Sequence, residues 1–273
     1  MRMAGQKRIK KILERAWGIC CPMFFPSRCL VCDEILTPEE KEYGIHASCK
    51  KQLYQITGAV CMHCGRMLLD SSVEFCQECV RKKYVLITTP ASSAKYSYHE
   101  NNFKTSVVQA KALYMYRGAI KKTMYRFKYN NRREYAEFFA KEAYLRYGKW
   151  LQQKGIDVIV PVPMYLPKQR KRGYNQANVF ARELSKWMKI PVDEGLVCRI
   201  RDTTPQKELN DIERKNNLKR AFHNKKSIVQ YSHILVVDDI YTTGSTVEAV
   251  AEELIKLGAR KVYVLSICIG GDM

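Results

Sequence analysis

The 273-residue chain has no apolar run long enough to span a bilayer, so it offers no candidate transmembrane helix. It is short of acids: 27 Asp and Glu face 47 Lys and Arg, a formal net charge of +20. That balance argues against a cationic partner. It favours a polyanion such as nucleic acid, anionic lipid or a phosphorylated substrate. There is no low-complexity tract, and nothing repeats beyond paired cysteine motifs. Cysteine is nearly absent from the later chain, where only Cys198 and Cys268 follow Cys79. An export signal is not expected either. The basic start (Arg2, Lys7, Arg8, Lys10, Lys11, Arg15) leads into "AWGICCPMFFP", but Pro22 breaks the apolar run, Glu14 precedes it and no small-residue cleavage site follows. The expectation is a cytoplasmic protein with reduced thiols.

What is present divides the chain into three. Residues 1–22 form a basic amphipathic segment, with Ile9, Ile12, Leu13, Ala16 and Trp17 on one helical face. Such a helix either packs on its own protein or makes peripheral contact with an anionic membrane. Residues 23–82 are cysteine-rich with poor periodicity, the mark of a metal-held module. Residues 83–273 turn to an α/β pattern from about Tyr114. Buried strands are predicted at 157–163 ("DVIVPVP"), 233–237 ("HILVV") and 261–269 ("KVYVLSICI"). Helices are predicted over 175–189 and 247–259, the first with Ala177, Phe180, Ala181, Leu184, Trp187 and Met188 at helical spacing. Strands alternating with helices imply a parallel sheet.

Nine of the eleven cysteines lie between Cys20 and Cys79. Cys61-x-x-Cys64 and Cys76-x-x-Cys79 are separated by eleven residues. Each CxxC turn aims two thiolates at one ion, and two turns complete a tetrahedron around Zn2+. Cys29-x-x-Cys32 with His46-x-x-Cys49 makes a second, Cys3His set. Cys20 and Cys21 are alternative ligands or simply buried thiols. Both sets offer four protein ligands and no open position, so one or two zinc ions would be structural. Metal binding would then supply much of the folding energy of this small segment.

The stretch "ILVVDDIYTTGST" (234–246) ends an apolar strand on two acids and a hydroxyl-rich turn. In a parallel sheet, ligands bind beyond the carboxyl ends of the strands. Backbone amides of Thr242, Thr243, Gly244, Ser245 and Thr246, at the start of the following helix, can cradle an anion. A phosphate there would repel Asp238 and Asp239, so the acids must face another part of the same ligand. Sugar hydroxyls fit, because carboxylates accept their hydrogen bonds. The ligand so implied is a ribose 5-phosphate; the plain alternative is an Asp cap on an ordinary turn.

This stretch resembles the phosphoribosyl pyrophosphate (PRPP) fingerprint of type I phosphoribosyltransferases. The segments "FPSRCLVC", "CMHCGR", "RFKYNNR", "VPVPMYLPKQRKRGYNQA", "TTPQKELNDIERKNNLKRAF" and "VVDDIYTTGST" occur in the order of the ComF family, which includes competence and GntX-like proteins. The resemblance covers roughly 22–269; His46 departs from it where many members have Cys. It implies a phosphoribosyltransferase-like parallel sheet flanked by helices, behind a small double zinc-ribbon module. It implies that Asp238 and Asp239 hold ribose hydroxyls and 242–246 the 5-phosphate. Lys168, Arg170, Arg172 and Lys128 would supply charge to a pyrophosphate with Mg2+, and Arg172 would join the acids in catalysis. The segment Arg201 to Phe222 would be the loop over the site, with Arg214 or Gln206 reaching inward.

If the protein is an enzyme, it is a phosphoribosyltransferase with an unread acceptor. If it is a binding protein, single-stranded DNA is the partner to expect. The segment 113–134 interleaves Tyr114, Tyr116, Tyr125, Phe127 and Tyr129 with seven Lys and Arg, the mix that stacks bases and follows a backbone. Core aromatics with a solvated basic face explain the same pattern. The family resemblance also implies a role in natural transformation and DNA uptake, with competence-machinery proteins as possible partners.

Overall fold

A computed structural model describes residues 26–83, 106–202, 221–224 and 230–270. The amphipathic segment 1–22, Cys20, Cys21, Gln206 and Arg214 lie outside the described residues. The chain divides into two compact units, residues 1–53 and 54–273. The division falls inside the cysteine-rich segment.

The smaller unit is built on turns. Arg28 bridges Ile35 in antiparallel fashion, and Asp33 takes a left-handed φ of 69° between them. Helix α1 (Pro38–Lys41) is a single turn closed by a capping box, in which Thr37 and Glu40 satisfy each other's backbone amides. Helix α2 (Ala47–Lys50) starts directly after His46. Leu30, Val31, Leu36, Ile45 and Leu53 form the buried core. A core of this size is too small to hold a fold alone, so cross-linking by a metal is the expected supplement.

The larger unit begins with the second cysteine pair of turns and helix α3 (Gln77–Lys83). Its sheet contains β1 (Val107–Met115), β2 (Val158–Pro161), β5 (His233–Tyr241) and β6 (Lys261–Ile269), ordered β1-β6-β5-β2 and parallel throughout. Between them run α4 (Ala119–Tyr129), α5 (Tyr135–Gln153), α6 (Leu166–Arg172), α7 (Gln176–Met188) and α8 (Ser245–Lys256). A short antiparallel pair, β3 (Val197–Arg199) and β4 (Phe222–Asn224), stands apart from the main sheet.

Both faces of the sheet are covered, which is why the central runs of β2, β5 and β6 are apolar. One face packs Ile234, Val236, Val262 and Val264 with Val247, Val250 and Leu254 of α8, with Val197 and Phe222 of the β3–β4 pair, and with Cys61, Cys64 and Cys79. The second cysteine cluster thus shares the sheet's own core. The residues between, including Leu235, Val237, Leu265 and Ile267, point to the other face by the two-residue strand period and are also buried. There α5 packs on α7, and α7 on β2 and β5. The predicted helical face of α7 is buried at Ala177, Phe180, Ala181 and Leu184, whereas Trp187 is exposed and stacks on Tyr144. Among the described residues, no helix is long and apolar enough to cross a membrane.

Candidate functional site

Strand β5 positions the acid pair. Its pairing with β2 ends at Val237, where Val162 N donates to Val237 O at 2.9 Å. The next residues, Asp238 and Asp239, therefore lie past the carboxyl end of β2, where a parallel sheet opens a crevice. On its other side β5 continues to pair with β6 as far as Tyr241. The acids thus sit within the last part of a strand rather than after it, and their backbone is held rigidly.

Asp239 Oδ2 meets Lys128 Nζ of α4 at 2.9 Å. Asp238 Oδ1 accepts from the amide of Asp239 at 2.8 Å. Burial, and then the neighbouring Asp239 charge, push the Asp238 carboxyl up from 3.8 to about 8. Burial alone would lower the Lys128 ammonium, but the Asp239 carboxylate more than reverses that and raises it. Two adjacent carboxyls beside one ammonium repel each other, which adds to burial in disfavouring the charged form of Asp238. Arg199 on β3 completes this side; burial lowers it, while Asp202 and Asp238 act in the opposite sense.

Arg172 ends α6. Its Nη1 donates to Gln176 Oε1 at 2.9 Å and its Nη2 to Tyr129 OH at 3.3 Å, with the guanidinium 4.9 Å from the Tyr129 ring centroid. Gly173, at φ 86°, then turns the chain into α7, whose start is tied to the residue just after β2 by Asn175 Nδ2 on Val162 O at 2.9 Å. Lys128 and Arg172 are thereby gathered at one end of α4. Lys168 and Arg170 lie on α6 but are exposed.

The hydroxyl loop runs from Thr242 to Thr246. Gly244 caps α8 with φ 80°, and a Cβ there would collide with the Tyr241 ring. Thr243 Oγ1 lies 2.8 Å from Ser245 Oγ. Thr242 and Thr243 are exposed, and Ser245 and Thr246 half-buried. The first-turn amides of a twelve-residue helix and its dipole sit here, a setting suited to an anion. The structure thus brings together Asp238, Asp239, Lys128 and Arg172, and places 242–246 at the end of the strand that carries the acids.

Both cysteine sets also converge. In each of Cys29, Cys32, His46, Cys49 and Cys61, Cys64, Cys76, Cys79, the ligand atoms lie within 4.8 Å of one another. His46 turns Nδ1 toward the thiols, 3.3 Å from Cys32 and 3.8 Å from Cys49, and Nε2 toward Glu40 at 3.7 Å. A carboxylate behind a ligating imidazole is the usual support for a zinc-bound histidine. Thiols this close cannot all ionise unaided. Hydrogen bonding from Cys64 drives Cys61 down, while the hydrogen bond to Cys61 pushes Cys64 up to about 12. A divalent cation removes that conflict by holding all four as thiolates, so the donor sets fit zinc.

Three contacts were beyond the sequence reading. Tyr129 and Gln176 hold Arg172, and Arg66 reaches from the second cysteine cluster to the root of the hydroxyl loop. Of the basic-aromatic segment, Tyr114 and Phe127 are core residues; Tyr125 and Tyr129 are exposed, with ring centroids 4.9 Å apart.

A cysteine module with two sets of four converging ligands, together with a parallel sheet bearing an acid pair and a hydroxyl loop, defines the class. Residues 20–80 match the double zinc ribbon domain, and residues 153–271 the phosphoribosyl transferase domain. The chain is 30% identical to Competence protein F of Haemophilus influenzae over 88% of its own length and 96% of that protein. It is 25% identical to Competence protein ComFC of Bacillus subtilis, over 84% and 89% respectively. With DNA utilization protein YhgH of Escherichia coli K12 it shares 40% identity over 41% of this chain and 49% of that protein. The chain belongs to the ComF family of competence-type proteins.

Proposed function

We propose that this protein binds a PRPP-type ligand at the β5 acid pair and acts in the cytoplasm on DNA taken up during natural transformation. The observation that carries the reading is the Asp238–Asp239–Lys128 constellation beside Arg172, on the strand that leads into the hydroxyl loop. Asp238 and Asp239 would accept hydrogen bonds from ribose hydroxyls, and 242–246 would hold the 5-phosphate. Arg172, with Lys168 and Arg170 on the same helix, would meet the pyrophosphate; a guanidinium suits phosphate oxygens. Mg2+, when bound with PRPP, would neutralise pyrophosphate charge. In a transferase role, the bond from the ribose anomeric carbon to pyrophosphate breaks as one to a nitrogen nucleophile forms, and these residues position and neutralise charge. Zinc, one ion per cysteine set, would be structural.

A second reading is a binding protein that uses this fold without turnover. It is favoured by α4, whose exposed Tyr125 and Tyr129 sit among Lys121, Lys122 and Arg126, beside the acid-pair lysine Lys128. Stacking rings and cations on one helix suit single-stranded DNA. The names of relatives that concern competence and DNA utilization support a DNA-linked role under either reading, and partner proteins of the competence machinery fit both. Calorimetric titration with PRPP and Mg2+, repeated with a single-stranded oligonucleotide and then with both, tests the proposal. PRPP binding with release of pyrophosphate selects the enzyme; DNA binding with intact PRPP selects the binding module; neither ligand binding refutes both.

A further inference from the structure

Arg66 follows the first CxxC of the second cysteine cluster, and its guanidinium faces two ways. Nη1 pairs with Glu78 at 3.0 Å, and Glu78 sits between Cys76 and Cys79. Nη2 donates to Gly270 O at 3.1 Å and to Thr242 O at 3.4 Å. Thr242 is the first residue of the hydroxyl loop. Gly270 closes β6, and its amide donates to Tyr241 O at 2.7 Å, so the two carbonyls belong to one junction at the root of the loop. The cysteine turn itself is seated on β1. Gly65 has φ 73°, and a Cβ there would come within 2.6 Å of Ala110 O.

We propose that Arg66 is a positioning residue for the hydroxyl loop, clamping the second cysteine cluster to the two carbonyls at the loop's root. The planar fork of a guanidinium spans a carboxylate on one edge and carbonyls on another, which a lysine ammonium does not reproduce. The Arg66 side chain is only 14% exposed, so its hydrogen bonds compete little with water. The conformation of Cys61 to Arg66 is fixed by the cluster, because Cys61 N donates to Arg66 O at 2.8 Å across that turn. An intact, metal-loaded cluster therefore holds Arg66 in place, and Arg66 holds Thr242. This gives the second ribbon a task beyond stability: it sets the shape of the anion loop at the end of β5.

The ligand arm of the test rests on the proposed phosphate role of the loop; the exchange arm does not. The full-length Arg66→Met variant keeps the side chain's bulk and loses its bonds. Zinc per chain, by elemental analysis, is expected to be unchanged. Amide hydrogen exchange at 242–247 in ligand-free protein is expected to quicken by about tenfold or more, the loss of a charge-assisted bond. Exchange in β1 and α7 is expected to stay as in wild type, which a general loss of stability would not allow. PRPP affinity with Mg2+ is expected to fall by a similar factor. Unchanged exchange at 242–247 in zinc-loaded variant overturns the proposal. If Arg66→Met sheds zinc, Glu78→Gln tests the same clamp from its other end with every thiol intact: a smaller quickening at 242–247 supports it, and no change overturns it. A wild type that ignores PRPP refutes the phosphate reading alone, while the exchange result still decides the clamp.

Discussion

Replacing Asp238 by Asn is expected to make the ligand-free protein more stable and its site worse. The wild-type carboxyl is raised from 3.8 to about 8 by burial and by Asp239. A raised carboxyl stabilises the fold fully below its unfolded pKa. That contribution drains away as pH climbs from about 4 to about 8, because the unfolded chain releases the proton first. Each tenfold change in proton affinity is worth about 1.4 kcal/mol, and screening by water at the mouth of a crevice cuts the total to roughly 2–4 kcal/mol. Asn carries no proton to release and still offers an oxygen to the Asp239 amide. The variant should melt about 4–8 °C above wild type at pH 8 for a gain near 2 kcal/mol, and close to wild type at pH 4.5. Ribose-phosphate affinity should move the opposite way, by about 1.5–3 kcal/mol for a lost charge-assisted bond. Differential scanning fluorimetry from pH 4.5 to 8.5, beside calorimetry with PRPP and Mg2+, reads both. A variant no more stable than wild type at pH 8, or a wild type with no fall in stability over that window, refutes the reasoning.

Other outcomes follow from the same contacts. Lys128→Met leaves Asp239 without its ion pair and removes the charge that favours ionised Asp238, so Asp238 should hold its proton to higher pH and the protein should lose more stability at pH 8 than at pH 5; fluorimetry at the two pH values checks it. Elemental analysis should find two zinc ions per chain. Cys61→Ser with Cys64→Ser should remove one ion and lower the melting point of the larger unit, since that cluster shares the sheet's core, whereas Cys29→Ser with Cys32→Ser should leave that unit's melting unchanged. Changing Lys121, Lys122 and Arg126 to Ala should flatten the salt dependence of single-stranded DNA binding by about two units, read by fluorescence anisotropy. Tyr125→Ala should weaken the same binding by roughly 1–3 kcal/mol with little change in slope.

Three of the four main strands were legible because they are buried on both faces, whereas the edge strand β1 was missed because Gln109 and Lys111 interrupt its apolar run. "KVYVLSICI" has no polar alternation to confuse with a helix, and β6 spans the predicted residues 261–269. The acid pair was legible for a chemical reason: two adjacent carboxylates ahead of a Thr-Gly-Ser turn have few structural uses. Strand β5 ran longer than expected, through the acids to Tyr241, because pairing with β6 persists after β2 has ended. Spacing alone could not reveal the partners. Lys128 and Asp239 are 111 positions apart and meet only because α4 returns across the sheet's end. Tyr114 and Phe127 looked like stacking candidates but are core residues: Tyr114 is buried on β1, and Phe127 is on the buried side of a basic helix that shows its aromatics to both sides. Arg66 carried one signal, its place directly after "CMHCG", and no rule of spacing points from there to a loop 176 residues away.

The most direct test of the central claim is a calorimetric titration of PRPP with Mg2+ into wild type and into Asp238→Asn with Asp239→Asn. The account predicts saturable binding to wild type below millimolar concentration, with one ligand per chain. It predicts a loss of about tenfold or more in the double variant, which should remain folded and zinc-loaded. No heat from wild type at millimolar PRPP, or equal affinity in the two proteins, would contradict it.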